Sequence, residues 1–192
     1  TDTVIIEQNL VNKFKKIKNF NEYKNLLKNN KIIFDHEERK KRILNKFRSV
    51  CGSRNFKENF NTKLLEEVVN IVENPNVLLG EFNKDYLKIP QEIIISTLET
   101  HQRYFPLFDN RENLTNYFFI VANKADDKNF IKKGNKRVVE ARVSDAKFFW
   151  EKDKSKNLIK QIVKLKKIVF YDKIGTLYDK TQRLRKLGAL LS

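Results

Sequence analysis

The chain has 192 residues, 33% of them charged, with a formal net charge of +16. That length buries a proper core, and it fits one domain with an appended element. No apolar run approaches the roughly 18 residues a membrane span needs, and the single cysteine, Cys51, excludes an internal disulfide and a cysteine-based metal cluster.

Residues 1–19 alternate apolar and polar positions only loosely, through Val4, Ile5, Ile6, Leu10, Val11, Phe14 and Ile17. They either pair as a strand or trail from a neighbouring domain. From Phe20 to Asn30, Tyr23, Leu26 and Leu27 recur at helical spacing, and Lys31-Ile32-Ile33-Phe34 reads as a short buried strand. Asp35 caps the next helix with Glu38 as its capping-box partner, Ile43, Phe47 and Val50 lie on one face, and Gly52 marks the stop. Thr62 caps a third helix carrying Leu64, Leu65, Val68, Val69 and Val72, which ends at Asn74-Pro75. Residues 77–82 form a strand, and Pro90 suits the first turn of a helix holding Ile93, Ile94 and Leu98. Two further strands, 103–108 and 117–122, flank the polar turn Asp109–Asn113 as a hairpin.

The next helix starts between Asp126 and Asn135 and organises the rest. Val139, Val143, Ala146 and Trp150 fall on one narrow stripe, so the helix docks through that stripe. Arg142 sits at its edge, and its stem is expected to be covered and its guanidinium paired with Asp145. Gly134 lowers helix propensity and allows a kink. After Asp153, Leu158, Ile162 and Leu165 mark another helix, and Ile168-Val169-Phe170 is a short apolar run. Thr176 caps a last helix with Asp179 three residues on. Leu177, Leu184, Leu187 and Leu191 form its apolar arc, and Lys180, inside that arc, must snorkel or reach a carboxylate such as Asp172. The arc is expected to stay uncovered, as where a further helical domain follows. The fold class is α+β: a small mixed sheet with a β-hairpin flanked by helices over 20–153, and a helical extension over 154–192.

Charge is uneven. From Ile131 to Lys186 there are 18 Lys or Arg against 6 Asp or Glu, the footprint of a polyanion partner, nucleic acid first. Biased codon supply with merely solubilising lysines is the alternative. Cations interleave with aromatics in Arg103-Tyr104-Phe105, Lys147-Phe148-Phe149-Trp150 and Lys167 to Lys173. Exposed aromatics of this kind stack unpaired bases, whereas paired phenylalanines on helices are more often core.

Catalytic constellations are missing. Five scattered glycines make no phosphate loop, and two histidines with one cysteine make no zinc site. His36 reads as a first-turn surface residue, and His101 as a helix-end cap or packing residue before it reads as a phosphate contact. Ser144 and Cys51 have no base nearby in sequence. The sequence offers no catalytic residue and no metal site. Thr1-Asp2-Thr3-Val4 lacks the basic and apolar regions of a secretion signal, and the absence of Met points to an excised piece of a longer protein or to processing.

Three stretches carry a resemblance. Residues 134–150, Gly-Asn-Lys-Arg-Val-Val-Glu-Ala-Arg-Val-Ser-Asp-Ala-Lys-Phe-Phe-Trp, resemble the GNERV, ARL, DA and FF signature of the bacterial glycyl-tRNA synthetase beta subunit family. His101-Gln102-Arg103-Tyr104-Phe105-Pro106 resembles its HQ[KR]YFP block, and Val169 to Arg183 its GTL, DKT and R block. One departure is Leu98, where the family often has Met, a volume-conserving change.

The resemblance implies that the class II core making glycyl-adenylate from glycine and ATP lies in an alpha subunit. It implies two alpha and two beta chains, and tRNA(Gly) as the partner, held largely by beta; a reduced cytoplasmic setting is expected from the single cysteine. This stretch corresponds to the part leading into the family's HD-like domain. Arg103, Lys132, Lys133, Lys136, Arg137 and Lys147 are the candidate tRNA contacts. Arg142, Asp145, Trp150, Asp179 and Lys180 are the candidate structural residues. Three functions follow: tRNA binding with scaffolding in glycine–tRNA ligase, a purely structural module docking the alpha subunit, and an editing hydrolase, which lacks any constellation to perform it.

Overall fold

The computed structural model describes residues 3–8 and 11–191, with side chains from 17 to 191. Thr1, Asp2 and Leu10 of the sequence reading, and the last position of the 154–192 extension, lie outside these. Two compact units divide the chain, one ending at Lys147 and the other beginning at Phe148.

In the first unit, β1 (Thr3–Gln8) and β2 (Val11–Lys16) pair antiparallel, with Ile5 opposite Phe14. Helix α1 (Phe20–Asn29) starts where the Asn19 side chain accepts from the Glu22 N–H, and stops before Lys31, at φ 61°. Residues 31–34 make no strand. The Ile33 N–H donates to the Glu73 carbonyl at 2.9 Å, and the Ile33 carbonyl accepts from Arg39 at 2.8 Å. One distant carbonyl and one guanidinium thus serve backbone groups that a strand partner would otherwise have to satisfy.

Asp35 caps α2 (His36–Arg54), accepting from the N–H groups of Glu37 and Glu38. The helix runs through Gly52 and ends where Asn55 turns left-handed at φ 59°. The cap of α3 (Thr62–Ile71) is Asn61 and not Thr62, since the Asn61 carboxamide accepts from Lys63 and Leu64. Strand β3 (Asn76–Glu81) leads through a 3-10 turn to α4 (Gln91–Ser96), immediately preceded by Pro90 and continued by a π turn over Thr97–His101. Strands β4 (Phe105–Phe108) and β5 (Leu114–Ala122) are the expected hairpin. Its turn is held by Asp109, whose carboxylate accepts from Arg111 and Asn113. Sheet order is β3-β5-β4 and both pairings are antiparallel, so the α+β class holds while the sheet is antiparallel rather than mixed.

Central strand β5 divides the core. Successive strand residues face opposite ways, and Phe118 and Phe119 are both fully buried. Phe119 stacks on Phe47 of α2 at 4.4 Å, within a cluster containing Ile43, Leu65, Val69 and Phe105. Phe118 stacks on Tyr104 at 5.4 Å and Phe82 at 6.2 Å. Directly opposite Phe118 on β3 is Gly80, where an added Cβ would come within 2.6 Å of the ring. A glycine there lets the aromatic ring lie across the strand backbone.

Helix α5 (Phe130–Lys154) runs across the division between the units. In the second unit the helix expected over Leu158 to Leu165 is a short α6 (Leu158–Gln161) followed by a 3-10 stretch over Ile162–Lys167. Strands β6 (Val169–Tyr171) and β7 (Gly175–Thr176) then lead into α7 (Leu177–Leu191), whose Leu184, Leu187 and Leu191 are exposed.

Gly80→Ala is expected to destabilise the chain by about 1–3 kcal/mol, because Phe118 is held between two other rings and cannot retreat. A lower urea midpoint at unchanged slope is the check, and a midpoint equal to the parent's would show that the ring can yield.

Candidate nucleic-acid interface

Helix α5 is anchored by Asp126, whose two carboxylate oxygens accept from the N–H groups of Ile131 at 3.0 Å and Lys132 at 2.8 Å. Val139 and Val143 are fully buried and Ala146 half-buried, so within the first unit the stripe faces inward as its spacing requires; Trp150, in the second unit, is half-buried. The helix continues through Gly134, and an added Cβ there would meet nothing within 4 Å.

The six candidate contacts separate into two groups. Lys133 and Arg137 are exposed and Lys132 is half-buried, and none of the three pairs with a carboxylate among the described residues. Lys136 lies 3.8 Å from Glu81 and 4.0 Å from Glu140. Arg103 lies 2.9 Å from Glu67. Half-buried Lys147 also has a partner, and its charge helps hold the Asp85 carboxyl low, after the larger effect of Lys88. Arg142 corrects the sequence reading: it is exposed, and no ion pair joins it to Asp145, also exposed. The four-three spacing that defines the stripe places position 142 about 70° off its centre, too far for the stem to be covered.

Arg103 has a second constraint. It takes the left-handed conformation, φ 58°, where the helical segment ends, and its guanidinium also donates to the Thr100 carbonyl. That reversal delivers Tyr104, 9% exposed, into the core, where its hydroxyl donates to the Asn135 side chain of α5. Asn135 in turn donates to the Ile131 carbonyl at 2.8 Å. Burial pushes the Tyr104 phenol above its ordinary range. His101 is exposed and makes no hydrogen bond or ion pair among the described residues, so it neither caps nor packs.

The stretch from Val169 to Arg183 is held by its own bonds. The Asp179 carboxylate accepts from the Thr176 N–H and hydroxyl, both at 2.8 Å, and the Thr176 hydroxyl accepts from the Asp179 N–H at 3.3 Å. A side chain on Gly175, at φ 98°, would place its Cβ 2.6 Å from that carboxylate. Lys180 reaches no carboxylate among the described residues; its ammonium lies 4.0 Å from the centre of the Phe170 ring. Arg183 donates to the Ile174 carbonyl at 3.2 Å. These residues close a hairpin onto a helix start.

The glycyl-tRNA synthetase beta subunit family matches residues 2–192. The chain belongs to that family. It is 41% identical over 171 residues to the glycine–tRNA ligase beta subunit of Thermodesulfovibrio yellowstonii, covering 88% of this chain and 25% of the relative. Against the Dictyoglomus thermophilum beta subunit it is 41% identical over 172 residues, 89% of this chain and 25% of the relative. Against that of Listeria welshimeri it is 38% identical over 177 residues, 92% and 26% respectively. The chain thus spans about a quarter of the length of the curated relatives it matches.

For this beta-subunit chain, no described cluster of three His, Cys, Asp or Glu could hold a metal, and no described helix is long and apolar enough to cross a membrane. Cys51 is buried, which with nearby Glu58 pushes its thiol up to about 11. The carboxylates that hold Arg103 and Lys136, Glu67 and Glu81, escaped the sequence reading because they stand on α3 and β3, without any local spacing to reveal them.

Tyr104→Phe leaves the Asn135 bond to Ile131 in place and should cost about 0.5–1.5 kcal/mol, read as a shift in denaturant midpoint. Asp179 gives a pH dependence. Its carboxyl sits below the ordinary range, through the Thr176 N–H first and the Thr176 hydroxyl second. A depressed folded-state pKa contributes stability above the unfolded pKa and loses it as pH falls through the folded one. Melting temperature should therefore decline from about pH 5 downward, and less steeply in Asp179→Asn than in the parent. Parallel curves for the two proteins would remove Asp179 from the account.

Proposed function

We propose that this chain contributes tRNA binding, and assembly with an alpha subunit, to a cytoplasmic glycine–tRNA ligase that charges tRNA(Gly) with glycine using ATP. In this reading the alpha subunit holds ATP and performs the chemistry, within an assembly of two alpha and two beta chains. Family membership supports the ligase. The observation that carries the tRNA contact is the uncommitted cation set on α5: Lys132, Lys133 and Arg137, with Arg142 beyond them. No described carboxylate neutralises them, so phosphates can, with release of condensed counterions. Gly134 lies among them with open space where a side chain would stand, so a backbone phosphate can approach the helix closely there. Arg103, Lys136 and Lys147 would each have to exchange an existing partner for a phosphate, and they rank second.

Exposed Phe130 and Val138 on the same helix favour the other reading, a face that docks the alpha subunit with no direct tRNA contact. Salt separates the two. With tRNA contact, log affinity falls linearly with log salt, by about 0.7–0.9 per phosphate neutralised, and unrelated RNA binds similarly. Lys132→Gln, Lys133→Gln and Lys136→Gln together should flatten that slope by about two units while leaving the melting curve unchanged. Affinity indifferent to both salt and these substitutions, with alpha-subunit binding lost in Phe130→Ser, would establish the docking reading instead.

A further inference from the structure

The first unit carries a second cationic feature that lies outside the basic half of the sequence. Between α2 and the outer edge of strand β3 runs a groove of about 730 Å³, lined on the helix side by Lys41, Arg42, Asn45, Lys46 and Ser49. These positions recur at helical spacing on the face of α2 opposite buried Ile43, Phe47 and Cys51. Arg42 also lines an adjoining cavity of about 280 Å³ with Lys28 and Lys31, so the two share a wall.

What distinguishes these cations is their lack of partners. Elsewhere on α2, Lys40 pairs with Glu66, Arg48 lies 3.7 Å from Glu58, and Arg39 donates to the Ile33 and Val69 carbonyls. Lys28, Lys31, Lys41, Arg42 and Lys46 are all exposed, and none pairs with a described carboxylate. Two acids, Glu38 and Asp126, reach the larger groove, and both oxygens of Asp126 are already taken by the α5 N–H groups. The opposite wall is an edge strand, since among the described residues β3 pairs only with β5. Outward N–H groups of an edge strand have no ladder partner and can donate to anionic oxygens. Asn45 and Ser49 add neutral donors.

We propose that this groove is a track for the phosphodiester backbone of an RNA strand, with Arg42 at its centre, Lys41 and Lys46 along the α2 wall, and Lys28 and Lys31 extending it. An elongated run of unpaired cations in two adjoining cavities fits a regularly spaced polyanion, whereas a small anion would need one convergent cluster. The inference rests on the reading that this chain binds tRNA, and it adds a contact surface on α1 and α2 to the one on α5.

The test uses the full chain and unmodified tRNA. Lys41→Gln, Arg42→Gln and Lys46→Gln together should weaken binding roughly ten-fold or more at 0.1 M salt and flatten the salt slope by about two to three units. Because all three side chains are exposed, the melting curve should not move. In parallel, tRNA should protect Lys28, Lys31, Lys41 and Lys46 from acetylation, read by mass spectrometry. If the parent binds tRNA steeply with salt and the α5 substitutions weaken it, while the groove substitutions and the acetylation pattern show nothing, the groove assignment alone is overturned. If the parent binds no tRNA at any salt, both readings fall. Protection of Lys41 and Lys46 by polyglutamate but not by RNA would assign the groove to an acidic protein segment and overturn the proposal.

Discussion

Two adjacent phenylalanines on the middle strand hold the first unit together. Phe118 and Phe119 of β5 point to opposite faces of a three-stranded sheet, and each is the centre of an aromatic stack. Phe119 seats α2 and α3 through Phe47 and the aliphatic cluster around it. Phe118 sets the place of Tyr104, and through the Tyr104 hydroxyl it fixes the first turns of α5. A sheet with only one central strand has little redundancy. Each face depends on one large ring, and the Phe118 ring has room only because β3 carries glycine at position 80.

The same chain of contacts explains what the three resembling stretches are made of. In the HQRYFP stretch, Arg103 forms the left-handed exit of a helix and Tyr104 a core anchor. In the long-helix stretch, Asn135 receives that anchor while Val139 and Val143 bury the stripe. In the third, Gly175, Thr176, Asp179, Lys180 and Arg183 close a hairpin onto a helix start. A characteristic residue pattern in this chain is therefore mostly a fold pattern. The charge that faces water without a described partner lies partly within it, at Arg137 and Arg142, and partly beside it, on the preceding turn of α5 and on the outer face of α2.

Exposure of a cation is a weaker guide than commitment. Arg103 and Lys133 look alike in sequence, both basic, one inside a resembling block and the other just ahead of one. In the structure one is tied to Glu67 and the other to nothing described. Moving an engaged cation to a phosphate breaks one interaction to make another, whereas an unengaged one adds the full counterion-release term. That difference ranks the two groups on α5, and it brings forward Lys41, Arg42 and Lys46, which lie outside the most basic stretch of the sequence.

Local chemistry was legible in the sequence. The Asp35 cap, the Thr176–Asp179 box, the hairpin around Asp109 and the inward stripe of α5 each follow from residues within one or two turns of one another. Spacing and capping act over that range, so they can be read from a string. The strandless 31–34 segment, the lack of a described ion pair at Arg142 and the cation–π seat of Lys180 were not legible. Each depends on whether a partner arrives from a distant element: the Glu73 carbonyl and Arg39 in place of a strand, no carboxylate for Arg142, and Phe170 in place of Asp172. By itself the sequence determined the class, the family and the excess of positive charge. Only the tertiary structure decided which charges are neutralised, because ion pairing depends on distances of a few ångströms between residues far apart in the chain.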